Sequence, residues 1–153
     1  MGEKLSAGDV CNRIVTIAER KMNLVEAAQL MRDHHVGCLV VVDIAGAGRL
    51  ATGILTDRDI VTAVVAKELD PRKLLVEDVM STEVVTVLEQ DSILDLLATM
   101  RRKGLRRIPV TSTQGALVGL VTLDDLLELM AEQMHTLVQV IETEQLRERK
   151  VRP

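Results

Sequence analysis

Asn23-Leu24-Val25-Glu26-Ala27-Ala28-Gln29-Leu30-Met31 and Ser92-Ile93-Leu94-Asp95-Leu96-Leu97-Ala98-Thr99-Met100 share one pattern, 69 positions apart. In both, a polar residue precedes apolar positions at i, i+3, i+4 and i+7. These are Leu24, Ala27, Ala28, Met31 in the first and Ile93, Leu96, Leu97, Met100 in the second. That spacing lays the apolar side chains along one helix face. Upstream, at nearly the same offset, Val15-Thr16-Ile17 matches Val85-Thr86-Val87 and Asp9-Val10 matches Asp78-Val79. Downstream, the apolar runs 36–42 and 105–110 predict buried strands. Gly46 and Gly48 in one copy, and Gly115 in the other, mark a turn before a second strand over 52–55 or 117–121. A second helix then begins near Asp57 or Leu123, with Ile60, Val61, Val64 corresponding to Leu126, Leu127, Met130.

Each copy therefore reads strand, helix, strand, strand, helix, an α/β (α+β) unit. Asp70-Pro71-Arg72-Lys73 breaks the chain between the copies. The division expected is 8–70 for the first repeat, 76–130 for the second and 131–153 for a helical extension. A unit this small buries little surface alone, so the copies are expected to pack about a pseudo-twofold axis.

Composition narrows the function. The chain of 153 residues is 47% hydrophobic yet has no Phe, Trp or Tyr, so its core is aliphatic. Without aromatic rings it has no stacking platform for single-stranded nucleic acid. A net charge of −4 also runs against a phosphate-backbone partner. The basic tail, Arg147, Arg149, Lys150 and Arg152, reads as a solvated helix end. Cys11 and Cys38 make neither a disulfide framework nor metal-ligand spacing. Residues 1–9 carry no apolar run of a leader, and no stretch has the length of a membrane span. No nucleic acid, no membrane and a cytoplasmic, reducing setting are the expectations.

The most informative match is Gly53-Ile54-Leu55-Thr56-Asp57-Arg58-Asp59 against Gly119-Leu120-Val121-Thr122-Leu123-Asp124-Asp125. Each lies where a strand feeds a helix, so free backbone N–H groups gather beside it. A Thr hydroxyl there can donate to a phosphate or ribose oxygen, and the Asp can accept from a ribose diol. The same Thr-x-x-Asp is also a capping box, as are Asn23-x-x-Glu26 and Ser92-x-x-Asp95. The Gly ahead of each Thr adds a small residue where backbone must approach something closely. Capping and ligand binding both stand at this point, and they can coexist.

The doubled pattern resembles a tandem pair of CBS (cystathionine-β-synthase) domains, the Bateman module. The resemblance rests on Val-Thr-Ile/Val before each first helix, on Glu26-Ala27-Ala28 with Met31, on Ile108-Pro109-Val110, and on the Gly-x-x-Thr-x-x-Asp of each copy. It spans about residues 8 to 130. It implies an adenosine-containing effector (AMP, ADP, ATP, S-adenosylmethionine or an NAD-type molecule) in clefts between the repeats, no required cofactor, and dimeric discs. Carried over by residue, Asp59 and Asp125 would hold ribose hydroxyls, with Thr56 and Thr122 at the ribose–phosphate junction. Thr16 and Thr86 would lie near adenine, between apolar positions around Val36, Gly37, Cys38 and Ile108, Pro109. Arg58, or Arg106 and Arg107, would meet phosphate. The copies differ there: Asp124 stands where the first has Arg58, and Gly37-Cys38 where the second has Arg106-Arg107. The two clefts are therefore expected to be unequal.

The other candidates read more plainly. Adjacent His34-His35 point about a third of a turn apart and do not chelate well. Cys38 sits in an apolar run, and Cys11 aligns with Met80. His135 has no nucleophile partner, and no catalytic triad, carboxylate pair or metal cluster is visible. The final helix is expected over 123–149, with Met130, Met134, Leu137 and Ile141 forming a seam for a homodimer or another protein. The leading expectation is a non-enzymatic ligand sensor. The alternative is a ligand-independent dimeric scaffold in which Thr-x-x-Asp only caps helices.

Overall fold

The computed structural model describes residues 4–46 and 48–152. Met1–Glu3, Ala47 and Pro153 lie outside it, and with them the start of the stretch read for a leader and the last residue of the helical extension. The elements run α1 (Ala7–Val10), β1 (Ile17–Ala18), α2 (Leu24–His34), β2 (Cys38–Ala45), β3 (Gly48–Thr56), α3 (Asp57–Ile60), α4 (Val76–Val79), β4 (Val87–Leu88), α5 (Ile93–Lys103), β5 (Arg107–Thr111), β6 (Leu117–Thr122) and α6 (Leu123–Val151). They build two three-stranded sheets, β1-β2-β3 and β4-β5-β6. In each, the short first strand is parallel to its neighbour and the next pair is an antiparallel hairpin. This is the expected α/β repeat, present twice.

The two long matching helices start on side-chain caps. Asn23 accepts from the Glu26 N–H at 2.9 Å, and Ser92 Oγ accepts from the Asp95 N–H at 3.2 Å. Both end in left-handed residues, His35 (φ 54°) and Gly104 (φ 64°). Their apolar faces bury Leu24, Ala27 and Met31 in one copy and Leu96 and Met100 in the other. Leu39 and Leu55 complete the first core, and Ile108, Val110 and Val121 the second, all at 0% exposure. Full burial of each such side chain stabilises by about 1.5–3 kcal/mol.

Two features depart from the simple repeat. The short helices α1 and α4, which periodicity could not show, are exchanged. Gly8 N–H donates to the Glu89 carbonyl at 2.8 Å, and Ala7 joins the second core. Reciprocally, Val76 N–H donates to the Met22 carbonyl at 2.8 Å, and Val76 and Met80 join the first core. The chain thus crosses between the units twice, which locks them together.

The second departure concerns the helix expected to begin near Asp57. α3 ends at Ile60 and passes into a π-helical turn, Val61–Val65, closed by Ala66 N–H to the Val61 carbonyl at 2.9 Å. Four of its five residues are β-branched and crowd the preceding turn. Thr62 Oγ1 also donates back to the Arg58 carbonyl at 2.9 Å, a bond that bends helices.

α6 runs 29 residues, about 43 Å. Leu126 packs into the second core, but every residue from Met130 to Arg152 is exposed. No helix among the described residues is long and apolar enough to cross a membrane.

Candidate functional site

Both Thr-x-x-Asp boxes close as caps. Thr56 N–H donates to Asp59 Oδ2 at 2.9 Å while Asp59 N–H donates to Thr56 Oγ1 at 3.1 Å. The second box repeats this at 3.3 and 3.1 Å between Thr122 and Asp125. Each cap engages one carboxylate oxygen, and it uses the hydroxyl as an acceptor. The Thr proton and the other Asp oxygen remain chemically able to meet a ligand.

The glycines have an internal explanation. A Cβ on Gly53 would lie 2.6 Å from Met80 Sδ and 3.1 Å from the Ser81 carbonyl oxygen. On Gly119 it would lie 2.6 Å from Cys11 Sγ and 2.7 Å from the Asn12 carbonyl oxygen. What approaches each strand closely is therefore the chain's own crossing segment. Ser81 pairs with Ile54, and Asn12 with Leu120, through reciprocal backbone hydrogen bonds of 2.9–3.0 Å.

Those crossings place a wall opposite each box. The first cleft, about 490 Å³, sets Thr56, Arg58 and Asp59 against Ser81, Glu83, Val85 and the 104–107 segment of the other repeat. The second, about 310 Å³, sets Thr122, Asp124 and Asp125 against Asn12, Ile14, Val15, Thr16 and the 35–38 segment. Most lining positions of the two correspond, and each cleft joins one repeat's box to the other repeat's strand entrance. The crossing segments fix this, because Ser81 bridges to Ile54 two residues before Thr56, and Asn12 to Leu120 two residues before Thr122.

One corresponding pair carries opposite charge, Arg58 against Asp124. Arg58, Arg106 and Arg107 all border the first cleft, facing the carboxylates Asp59 and Glu83. The sequence left the phosphate partner open between Arg58 and the Arg106-Arg107 pair, and here they share one opening. The second cleft has Asp124 and Asp125 with Arg107, while Gly37 and Cys38 take the places of Arg106 and Arg107. Thr16, Val36, Gly37 and Cys38 border this second cleft. Thr86 is exposed and borders neither, and Ile108 and Pro109 are fully buried behind the wall. Sequence reasoning missed Ser81, Glu83, Asn12, Ile14 and His35. The matched Asp-Val pairs just upstream of the first two crossings were the available signal.

Neither thiol is set up as a nucleophile. Burial pushes the Cys38 thiol up, partly countered by the charge and hydrogen bond of Arg107. Burial likewise pushes up Cys11. Among the described residues, no group of three or more His, Cys, Asp or Glu could hold a metal ion.

Comparison with known proteins fits this geometry. Hypoxic response protein 1 of Mycobacterium tuberculosis is 35% identical over 136 residues, covering 89% of this chain and 91% of that protein. Its crystal structure, with two coordinated zinc ions, matches at TM-score 0.69 and 34% identity over 80% of this chain and 97% of that one. Uncharacterized protein MK0525 of Methanopyrus kandleri is 34% identical over 125 residues, 82% of this chain but 62% of that longer relative. The CBS-domain pair of protein MJ0100, solved with 5′-methylthioadenosine and S-adenosylmethionine, shares the fold at TM-score 0.73 and 24% identity, over 86% of this chain and 99% of that one. The CBS-domain family profile matches residues 7–66 and again 76–132. With two matches, each on a complete α/β repeat, the chain belongs to the CBS-domain family and is a tandem CBS pair.

Proposed function

We propose that this CBS pair is a regulatory module that binds an adenosine-containing ligand between its repeats and performs no chemistry on it. The observation that carries the reading is the inter-repeat cleft of Thr56 and Asp59, with Arg58, Arg106 and Arg107 at its edge. Its volume of about 490 Å³ suits a small molecule. Asp59 is the residue for the ribose diol, Thr56 for the ribose–phosphate junction, and the guanidiniums for phosphate, where Arg forms forked hydrogen bonds. The MJ0100 pair, bound to two adenosine compounds on the same fold, supports this choice of ligand. In the second cleft Asp125 and Thr122 take the same roles beside Thr16, Val36, Gly37 and Cys38. Thr86, Ile108 and Pro109 would act from behind or beside the wall, not by lining it.

Binding would alter the angle between repeats, and the exposed α6 would carry that change to a second copy or a protein partner. A ligand shifts such an equilibrium only by its differential affinity for the two arrangements. Free Cys11 and Cys38 support a reducing, cytosolic setting. The scaffold alternative draws on the closed caps, which would serve helix starts without any ligand.

Thermal shift with AMP, ADP, ATP, S-adenosylmethionine and NAD separates the two. A ligand at a hundred times its dissociation constant stabilises by about 2.7 kcal/mol, or roughly 5–10 °C for a protein of this size. At least one of these compounds is expected to do so. A flat response to all five would leave the scaffold as the better account.

A further inference from the structure

The wall between the clefts is charged on both sides. Arg106 borders the first cleft, while its guanidinium reaches Asp124 Oδ1, in the second, at 3.5 Å. Arg107 borders both clefts. Position for position, the first opening carries Arg58 where the second carries Asp124, and Arg106 where the second carries Gly37.

We propose that the two clefts prefer ligands of opposite charge and are coupled through Arg106, Arg107 and Asp124. A phosphate in the first cleft draws Arg106 away from Asp124 and holds Arg107 on its own side. Asp124 and Asp125 then face the second cleft with less compensation. That cleft gains affinity for an adenosine ligand with a cationic tail and loses affinity for a second phosphate. Linkage makes the effect reciprocal, so the cationic ligand tightens the anionic one by the same factor. The choice of adenosine ligands rests on the reading above, whereas the coupling depends on the three side chains.

Geometry bounds the size of the effect. The Arg106 and Asp124 side chains are 72% and 76% exposed, so water screens their attraction. Pairs of this kind support a coupling of about two- to fivefold, falling as salt rises.

The test is calorimetric titration of the full chain with S-adenosylmethionine, whose sulfonium and ammonium groups outnumber its carboxylate, alone and with saturating ADP. The second-cleft site is identified as the one lost in Asp125→Asn. ADP is expected to tighten S-adenosylmethionine there by about two- to fivefold at low salt. Asp124→Asn is expected to erase the gain while ADP still binds. ADP that binds without changing S-adenosylmethionine affinity, or a gain that survives Asp124→Asn, overturns the coupling and leaves the adenosine reading intact. S-adenosylmethionine that never binds the second cleft also overturns it. Failure of ADP to bind at all overturns the coupling as well, whereas the adenosine reading falls only if all five compounds fail to bind.

Discussion

A hydroxyl has one proton and two lone pairs, and the helix cap draws only on a lone pair of Thr56 and of Thr122. Capping therefore does not compete with the proposed binding, because the cap fixes the rotamers that a ligand would meet. The glycines belong to the same scale but act differently. Gly119 leaves room for the Asn12 carbonyl oxygen, 2.7 Å from where a Cβ would sit, and backbone cannot swing aside as a flexible side chain can. We predict that Gly119→Ala destabilises the protein by about 1–3 kcal/mol in urea melts, through overpacking against residues 11–12. An unchanged midpoint would show that the crossing segment yields freely. The boxes and their glycines were legible in the sequence, and so was the ambiguity over what they do. The partner that makes glycine necessary was not, because Asn12 and Ser81 reach Leu120 and Ile54 through backbone atoms, which carry no sequence signature.

Among the elements, α6 has the least cover. Leu127, Met130, Met134, Leu137 and Ile141 recur at alternating spacings of three and four and are all more than half exposed. A projecting helix with such a stripe gains most of its stability by packing it against something. We predict a dimer by light scattering, and its dissociation by Leu137→Asp. Leu146→Asp serves as the control, since Leu146 is 58% exposed against 65% for Leu137 but lies off the stripe. A monomeric wild type, or equal effects of the two substitutions, would count against a helix-mediated dimer. The length of α6 was readable from its period and from a stretch, 123–152, that holds no Gly or Pro to end a helix. The π-helical turn after α3 was not, because Val61, Thr62, Val64 and Val65 keep an apolar pattern that fits a regular helix equally well.

At the scale of the whole molecule, the exchange of α1 and α4 makes the tandem pair more than two adjacent domains. Each core contains a helix supplied from the start of the other repeat's segment, Ala7 in the second and Val76 in the first. Those four-residue helices are too short to show a period, so the sequence could reveal the repeat but not the crossing. The crossing is also what puts Arg58 and Arg106-Arg107 on one opening. Comparing the copies side by side revealed both asymmetries, but only the three-dimensional arrangement makes them add up in the same cleft. The most direct measurement of this account is therefore calorimetric titration of the full chain with ADP. We predict that the ADP site survives Asp125→Asn but is weakened at least tenfold by Asp59→Asn and by Arg58→Ala, with all three unliganded proteins folded. ADP binding that is lost in Asp125→Asn and indifferent to Asp59 and Arg58, or no binding at all, would contradict it.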